Sequence, residues 1–325
     1  MASKYPEFEL KECKTAEDLW KLLCPTNELF EAPCRLIYRG VFDRAPNGDP
    51  ISLVPSVLRK DQQERLQLSC LKNEKADNVV FNEDRQLQYF CNCCDASGLQ
   101  IPGDSPEFRE KVLSPQNMER YFYGEKLWPG EELDVVIAMA QHHGVPTRFL
   151  DWTRIPFVAA YFAASCSLAM YKKWNPADKL AVWVLNRESI GLYQDKVRIA
   201  EVPGGVSPHL SAQSGLFTVL LHDGTRGKTT VEPQSLESIC GSLPNTPLMK
   251  ITLPVEESVK LMVLCKKAGY NGARLFPTLD GAGRAVQDNI NEKVASQKIQ
   301  EWDDPETDAV EDDHDPLDLC MTGDI

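Results

Sequence analysis

The sequence has no apolar run approaching the roughly 18 residues that a membrane-spanning helix needs, and its first ten residues lack a basic end followed by an apolar core. No membrane partner is indicated, and the cytoplasm is the expected compartment. Absent too is a Gly-x-Ser-x-Gly elbow, and no phosphate-loop or dinucleotide-fold glycine pattern stands in the strand, glycine, helix order that such motifs require. Basic residues are missing altogether from 301 to 325, where eleven acids occur without a Lys or Arg. Removing that segment from a chain of net charge −13 leaves 37 acidic against 35 basic residues. The near-neutral remainder lacks the basic footprint of a nucleic-acid binder. The tail repels itself and buries little, so disorder is expected, with an arm for a basic protein partner as the alternative.

Cysteine is plentiful, but the count of eleven is odd and no secretion signal accompanies it, which argues against a disulfide framework. Cys91, Cys93 and Cys94 form a tight group. No second pair stands at matching spacing, since Cys166, Cys240 and Cys265 are isolated, so reduced thiols without a metal are expected.

What is present is the composition of a globular protein, 42% hydrophobic and 26% charged. Thr15 is placed to cap a first helix whose apolar side is Leu19, Trp20, Leu22 and Leu23. Arg35 to Arg39 reads as a short strand ending at Gly40, where the backbone turns or something approaches it closely. Residues 62 to about 90 read as mainly helical, and 91 to 130 as irregular with short helices. Strands are expected at Leu180–Leu185, Leu216–Leu221 and Leu248–Leu253, and helices over 255–269 and 281–299. The reading is a single α+β domain over residues 1–300, with a helical N-terminal part and a mixed sheet flanked by helices, followed by the acidic tail.

The densest polar stretch is Gln141-His142-His143-Gly144-Val145-Pro146-Thr147-Arg148-Phe149-Leu150-Asp151-Trp152-Thr153. Before it, Leu133, Val136, Ile137 and Ala140 recur with helical period; after it, Pro156 can open a helix with Phe157, Ala160, Tyr161, Ala164 and Leu168 on its apolar face. The stretch is therefore expected on a connection between two packed helices, presented at a cleft. Arg39 at a strand end can grip a phosphate or carboxylate through its planar fork, or pair with an interior acid such as Asp151. Trp152 offers a ring, Thr153 a hydroxyl and Asp151 a positioning carboxylate; the alternative is a core Trp beside an Arg148–Asp151 ion pair. At most one of His142 and His143 faces the cleft, because adjacent helical positions diverge. Gln213, ahead of a strand, suits an amide or base edge, or a hydrogen bond that merely ends a loop.

With Tyr38-Arg39-Gly40, Pro55-Ser56-Val57-Leu58-Arg59, the stretch above, Ala212-Gln213-Ser214-Gly215-Leu216-Phe217-Thr218 and Arg274-Leu275-Phe276-Pro277-Thr278-Leu279-Asp280-Gly281, the chain resembles the FRG-domain family over roughly residues 15 to 290. One departure is Val41, where the family often has Gln. The order of motifs is also similar to that of ADP-ribosyltransferases. That second resemblance implies NAD as cofactor, Arg39 on the dinucleotide, Thr153 with Tyr161 at the nicotinamide, and Gln213 where a catalytic Glu is usual. An amide cannot act as a base near neutral pH. Glu201 is the acid that could fold back to replace it. Tyr38, Gly40, His143, Arg148, Asp151 and Trp152 complete the expected ligand contacts. A non-catalytic binding or sensor module for a phosphorylated small molecule or nucleotide is the competing expectation, and a hydrolase with His143 and Asp151 as base and orienter lacks a nucleophile. A chain ending at Gln300 is expected to keep its melting temperature within a few degrees, which thermal unfolding of the truncated protein checks.

Overall fold

The computed structural model describes residues 5–27, 35–44, 48–59, 75–229 and 235–303. The helices are α1 (Ala16–Leu23), α2 (Ala76–Ala96), α3 (Pro106–Lys111), α4 (Pro115–Phe122), α5 (Asp134–His142), α6 (Pro156–Ala169), α7 (Pro208–Ala212), α8 (Leu236–Cys240), α9 (Ser258–Lys267), α10 (Gly272–Leu275) and α11 (Leu279–Asp303). The strands are β1 (Glu9–Glu12), β2 (Leu36–Phe42), β3 (Phe149–Thr153), β4 (Lys179–Asn186), β5 (Val197–Ala200), β6 (Gly215–Leu220) and β7 (Leu248–Pro254). Thr15 caps α1 by accepting from the backbone of Asp18 at 3.1 Å. Ser105, Ser114 and Ser235 cap α3, α4 and α8 in the same way.

The seven strands form one mixed sheet in the order β1-β7-β4-β2-β3-β6-β5. All neighbours are antiparallel except β1 and β7. The sheet is α+β, as expected, but two strand assignments change. Phe149–Thr153 is not a helix-to-helix connection; it is β3, an interior strand of the sheet. All five of its residues are buried, so neither face shows the polar alternation that marks a half-exposed strand. Arg39 likewise stands inside β2 rather than at its end, because the strand continues through Gly40 to Phe42. Residues 60–74, over which the start of the second helix was read, lie outside the described residues. The cysteine group falls within α2, with Cys91 and Cys94 buried and Cys93 exposed, and burial pushes the Cys91 thiol up to about 11.

Alternation along the strands divides the core into three parts. On one face, α1, α6 and α9 pack with Tyr38, Phe42, Val182 and Ile251. Beside them on that face, α2, α4 and α5 pack with Phe149, Phe217 and Val219. On the opposite face, Ile37, Val41, Leu150, Trp152, Trp183 and Leu216 pack with Leu53, Val57 and Leu236. The sheet is narrowly joined where the first two parts meet: β2 pairs with β4 at seven positions and β3 with β6 at five, but β2 meets β3 only at Tyr38 opposite Thr153.

Gly40 sets how closely α6 lies on β2. A Cβ built there falls 1.8 Å from the carbonyl oxygen of Ala159 and 2.6 Å from the amide nitrogen of Ala163, so the helix backbone rests on the strand backbone. The glycine serves that approach, with no room for a ligand over it. Gly40→Ala is expected to destabilise by about 3 kcal/mol or more, the upper range of overpacking, since the obstruction is backbone; urea unfolding measures it.

The last helix runs past residue 300. Glu301–Asp303 form the end of α11, and Trp302 packs against Trp174 with ring centroids 6.1 Å apart. Residues 304–325, most of the acidic tail, lie outside the described residues. A chain ending at Gln300 therefore loses the last residues of α11, and Trp302→Ala is expected to cost about 1 kcal/mol, the scale of an aromatic pair. Equal melting temperatures for chains ending at Gln300 and at Asp303 would contradict this.

Candidate functional site

Gln141, Thr147 and Asp151 of the 141–153 stretch join one another between the end of α5 and β3. Asp151, 1% exposed, turns its carboxylate toward α5 and accepts from Gln141 Nε2 at 2.8 Å on each oxygen. Arg39 lies in the alternation beside Ile37 and Val41, and its guanidinium reaches across the gap between β2 and β3. Its Nη1 donates to the Asp151 carbonyl at 2.9 Å and lies 3.4 Å from Oδ2. The arginine thus fills a place in the ladder that β2 leaves open. Gln141 Oε1 accepts from the Thr147 hydroxyl, which accepts in turn from the Phe149 amide at 3.1 Å. Thr147 is anchored to the 52–58 segment, where its amide donates to Ser56 Oγ at 2.9 Å and its carbonyl accepts from Val57 N at 3.1 Å. Arg39, Asp151, Gln141 and Thr147 therefore form one buried chain of hydrogen bonds.

Arg148 belongs elsewhere. Its Nε and Nη2 donate to the two oxygens of Glu83 on α2, both at 2.8 Å, and Glu83 also accepts from Trp128 Nε1 at 2.7 Å. The Arg148–Asp151 pair considered from sequence does not form; each residue has another partner. Glu83 escaped the sequence reading because it stands 65 residues away on a helix with no motif around it. The same geometry revises the expected ring contacts. Trp152 is fully buried on the opposite face of the sheet and donates to Thr218 at 3.0 Å. Tyr161 is fully buried in α6 and donates to Asp288 of α11 at 2.6 Å, beside a bond from Ser165 at 2.7 Å. Burial raises the Tyr161 phenol, and Tyr38 is pushed up to about 12 by the same cause. These rings are core: Trp152 lies on a strand inside the sheet, and Tyr38 and Tyr161 lie where β2 packs against α6.

Thr153 marks the second focus. Its hydroxyl donates to the Gln213 carbonyl at 2.6 Å and accepts from the Ile155 amide at 3.0 Å, which fixes the turn into α6. Gln213, fully buried, donates from Nε2 to the Leu275 carbonyl at 3.1 Å, while its Oε1 has no partner among the described residues. One helical turn earlier in α7 stands His209, whose ring centroid is 4.6 Å from that of His142 and 5.5 Å from that of Phe276. Its Nδ1 is buried and likewise has no partner among the described residues. Burial, then the neighbouring His209 and His143, lower His142 to about 4; burial leads in lowering His209 as well. His143 is exposed at the end of α5, 6.4 Å between ring centroids from Phe90. Three of the five histidines thus gather here, and sequence reasoning passed over His209 because it stands alone in its segment.

Glu201 sits at the same end of the sheet. It closes β5 and joins Arg154, next to Thr153, at 2.8 Å and Arg187. Arg154 also reaches toward the Gly215 carbonyl at 3.4 Å. Among the described residues no group of three His, Cys, Asp or Glu side chains converges as a metal site requires.

Residues 35–171 match the FRG domain family model, so the chain carries an FRG domain. The segments at 212–218 and 274–281, read from sequence as part of the same pattern, lie beyond the matched span. No curated protein and no solved structure matches the chain.

The Glu83–Arg148 pair is 9% and 5% exposed at its side chains, so removing one partner leaves the other charge buried. Glu83→Ala is expected to cost about 3–5 kcal/mol. Glu83→Leu with Arg148→Met should recover much of that loss. A double-mutant cycle by urea unfolding checks both; additive losses would contradict the pairing.

Proposed function

We propose that this FRG-domain protein binds a nucleotide-like small molecule at the seam formed by Thr153, α7 and the 275–276 turn, and that it acts as a binding module rather than a transferase. One observation carries the reading: segments at 141–153, 209–215 and 275–276, far apart in sequence, meet through Thr153 Oγ1 on Gln213 O, Gln213 Nε2 on Leu275 O, and the rings of His142, His209 and Phe276. Such convergence of small polar groups with rings is the usual makeup of a ligand site.

The groups that glycosyl transfer would use are engaged within the protein, which favours binding over reaction. Arg39 lies on Asp151, and the Thr153 hydroxyl proton is committed to the Gln213 carbonyl. NAD or ADP-ribose is the ligand to test. In this reading Arg154 and Arg187, half-buried or exposed at the sheet end, take the phosphate-facing place first assigned to Arg39, since Arg39 is only 7% exposed. The seam residues take the base or carboxamide end.

The transferase reading keeps one observation in its favour, the Glu201 carboxylate bound to the residue after Thr153. There it would polarise a ribose hydroxyl, as the ADP-ribosyltransferase resemblance implies. Calorimetry with NAD and with ADP-ribose, run beside an assay for released nicotinamide, separates the two. Binding without release is expected, and Arg154→Ala should weaken it about tenfold, the scale of a charge-assisted hydrogen bond. Release that Glu201→Gln abolishes would establish the transferase or hydrolase reading. No heat with either compound would overturn nucleotide binding.

A further inference from the structure

Two polar atoms at the seam between α7 and the 275–276 turn stand out. Gln213 is fully buried, and its amide nitrogen is committed to the Leu275 carbonyl, which fixes the orientation of the group. Its Oε1 is then an acceptor shielded from water with no donor among the described residues. His209 Nδ1, four residues earlier in the same short helix, is the second such atom. Buried polar atoms without a partner are uncommon in folded proteins, so two together are seldom retained without one. The surroundings are aromatic: the His209 ring lies between His142 and Phe276, and the Arg284 guanidinium covers Phe276 at 4.4 Å.

From this geometry we infer that the seam recognises a planar amide-type edge, a carboxamide or an amino-substituted nucleobase, through Gln213 Oε1 and His209 Nδ1. The Gln213 oxygen accepts the ligand N–H. A neutral imidazole presents one N–H and one bare nitrogen, so His209 meets the adjoining acceptor or donor of the same edge. Both His209 and His142 have pKa values lowered by burial, so both are neutral near pH 7. A flat ring carrying that edge lies against Phe276 or His142, where an aromatic face and a neutral imidazole favour stacking. An isolated phosphate does not fit, because a carboxamide oxygen offers it no donor. This inference deepens the nucleotide reading and rests on the same site, yet it concerns one end of the ligand and is testable with fragments.

The test uses the full chain labelled with nitrogen-15 and two fragments, nicotinamide and adenine, titrated separately. Signals of the Gln213 side-chain amide and the His209 ring nitrogens are expected to move on saturable binding of at least one fragment; which one responds identifies carboxamide or nucleobase as the source of the edge. His209→Phe keeps the ring and removes the nitrogens, and should weaken that fragment about tenfold, the size of one lost hydrogen bond. Thermal unfolding of the variant shows whether the fold is intact. If His209→Phe fails to fold, the wild-type shifts decide alone. Fragment binding with no NAD or ADP-ribose binding would keep the inference and correct the larger reading. Binding of NAD with no response at Gln213 or His209 would overturn the inference and leave the nucleotide reading standing. No fragment response and no nucleotide binding would overturn both, leaving an internal water as the partner of the two atoms.

Discussion

The burial of the Asp151 carboxylate on an interior strand of the sheet is the constraint on which the arrangement depends. A carboxylate 1% exposed is tolerable only when its oxygens are met by donors. Those donors come from two different layers: Gln141 from the end of α5 and Arg39 from β2. Meeting them fixes where α5 sits over β3. It also holds β2 beside β3 at a junction where backbone pairing amounts to one register pair. The Arg39 contact to the Asp151 carbonyl replaces a ladder bond, so a side chain does here what backbone does elsewhere in the sheet.

This also explains why the polar stretch was only partly legible in sequence. The periodicity before and after it marked α5 and α6 correctly, and the apolar runs at 180, 216 and 248 marked β4, β6 and β7, because each of those segments carries its own pattern. Phe149–Thr153 carries none. Its two faces meet different parts of the core, one with Phe149, Asp151 and Thr153, the other with Leu150 and Trp152, and the polar members are paired rather than solvated. A buried strand whose charges are cancelled by distant residues reads as a loop. The partners were hidden for the same reason: Glu83 and Asp288 lie on helices 65 and 127 residues away from Arg148 and Tyr161.

The residues that looked most like chemistry therefore divide in two. Arg39, Arg148, Asp151, Trp152 and Tyr161 are engaged with one another or with the core, and they position strands and helices. Thr153 is the link between the halves, since its hydroxyl ties the end of β3 to Gln213. Beyond it, Gln213, His209, His142 and Phe276 form a smaller group, in which Gln213 Oε1 and His209 Nδ1 are unmatched among the described residues. Rigid pairing on one side and unmatched polar atoms on the other is the disposition of a scaffold that presents a binding edge. The FRG match over residues 35–171 covers the scaffold half, whereas His209, Gln213 and Phe276 lie outside it.

That division turns on whether Asp151 serves the fold or the ligand, and Asp151→Asn asks this with almost no change of shape. The amide keeps the volume but removes the charge facing Arg39 and turns one acceptor into a donor against Gln141. Urea unfolding of the variant is the direct measurement. A loss of about 3–5 kcal/mol, the cost of leaving one charge of a buried pair uncompensated, is the result this account predicts. Unchanged stability together with lost nicotinamide or adenine binding would contradict it and place Asp151 in the binding site itself.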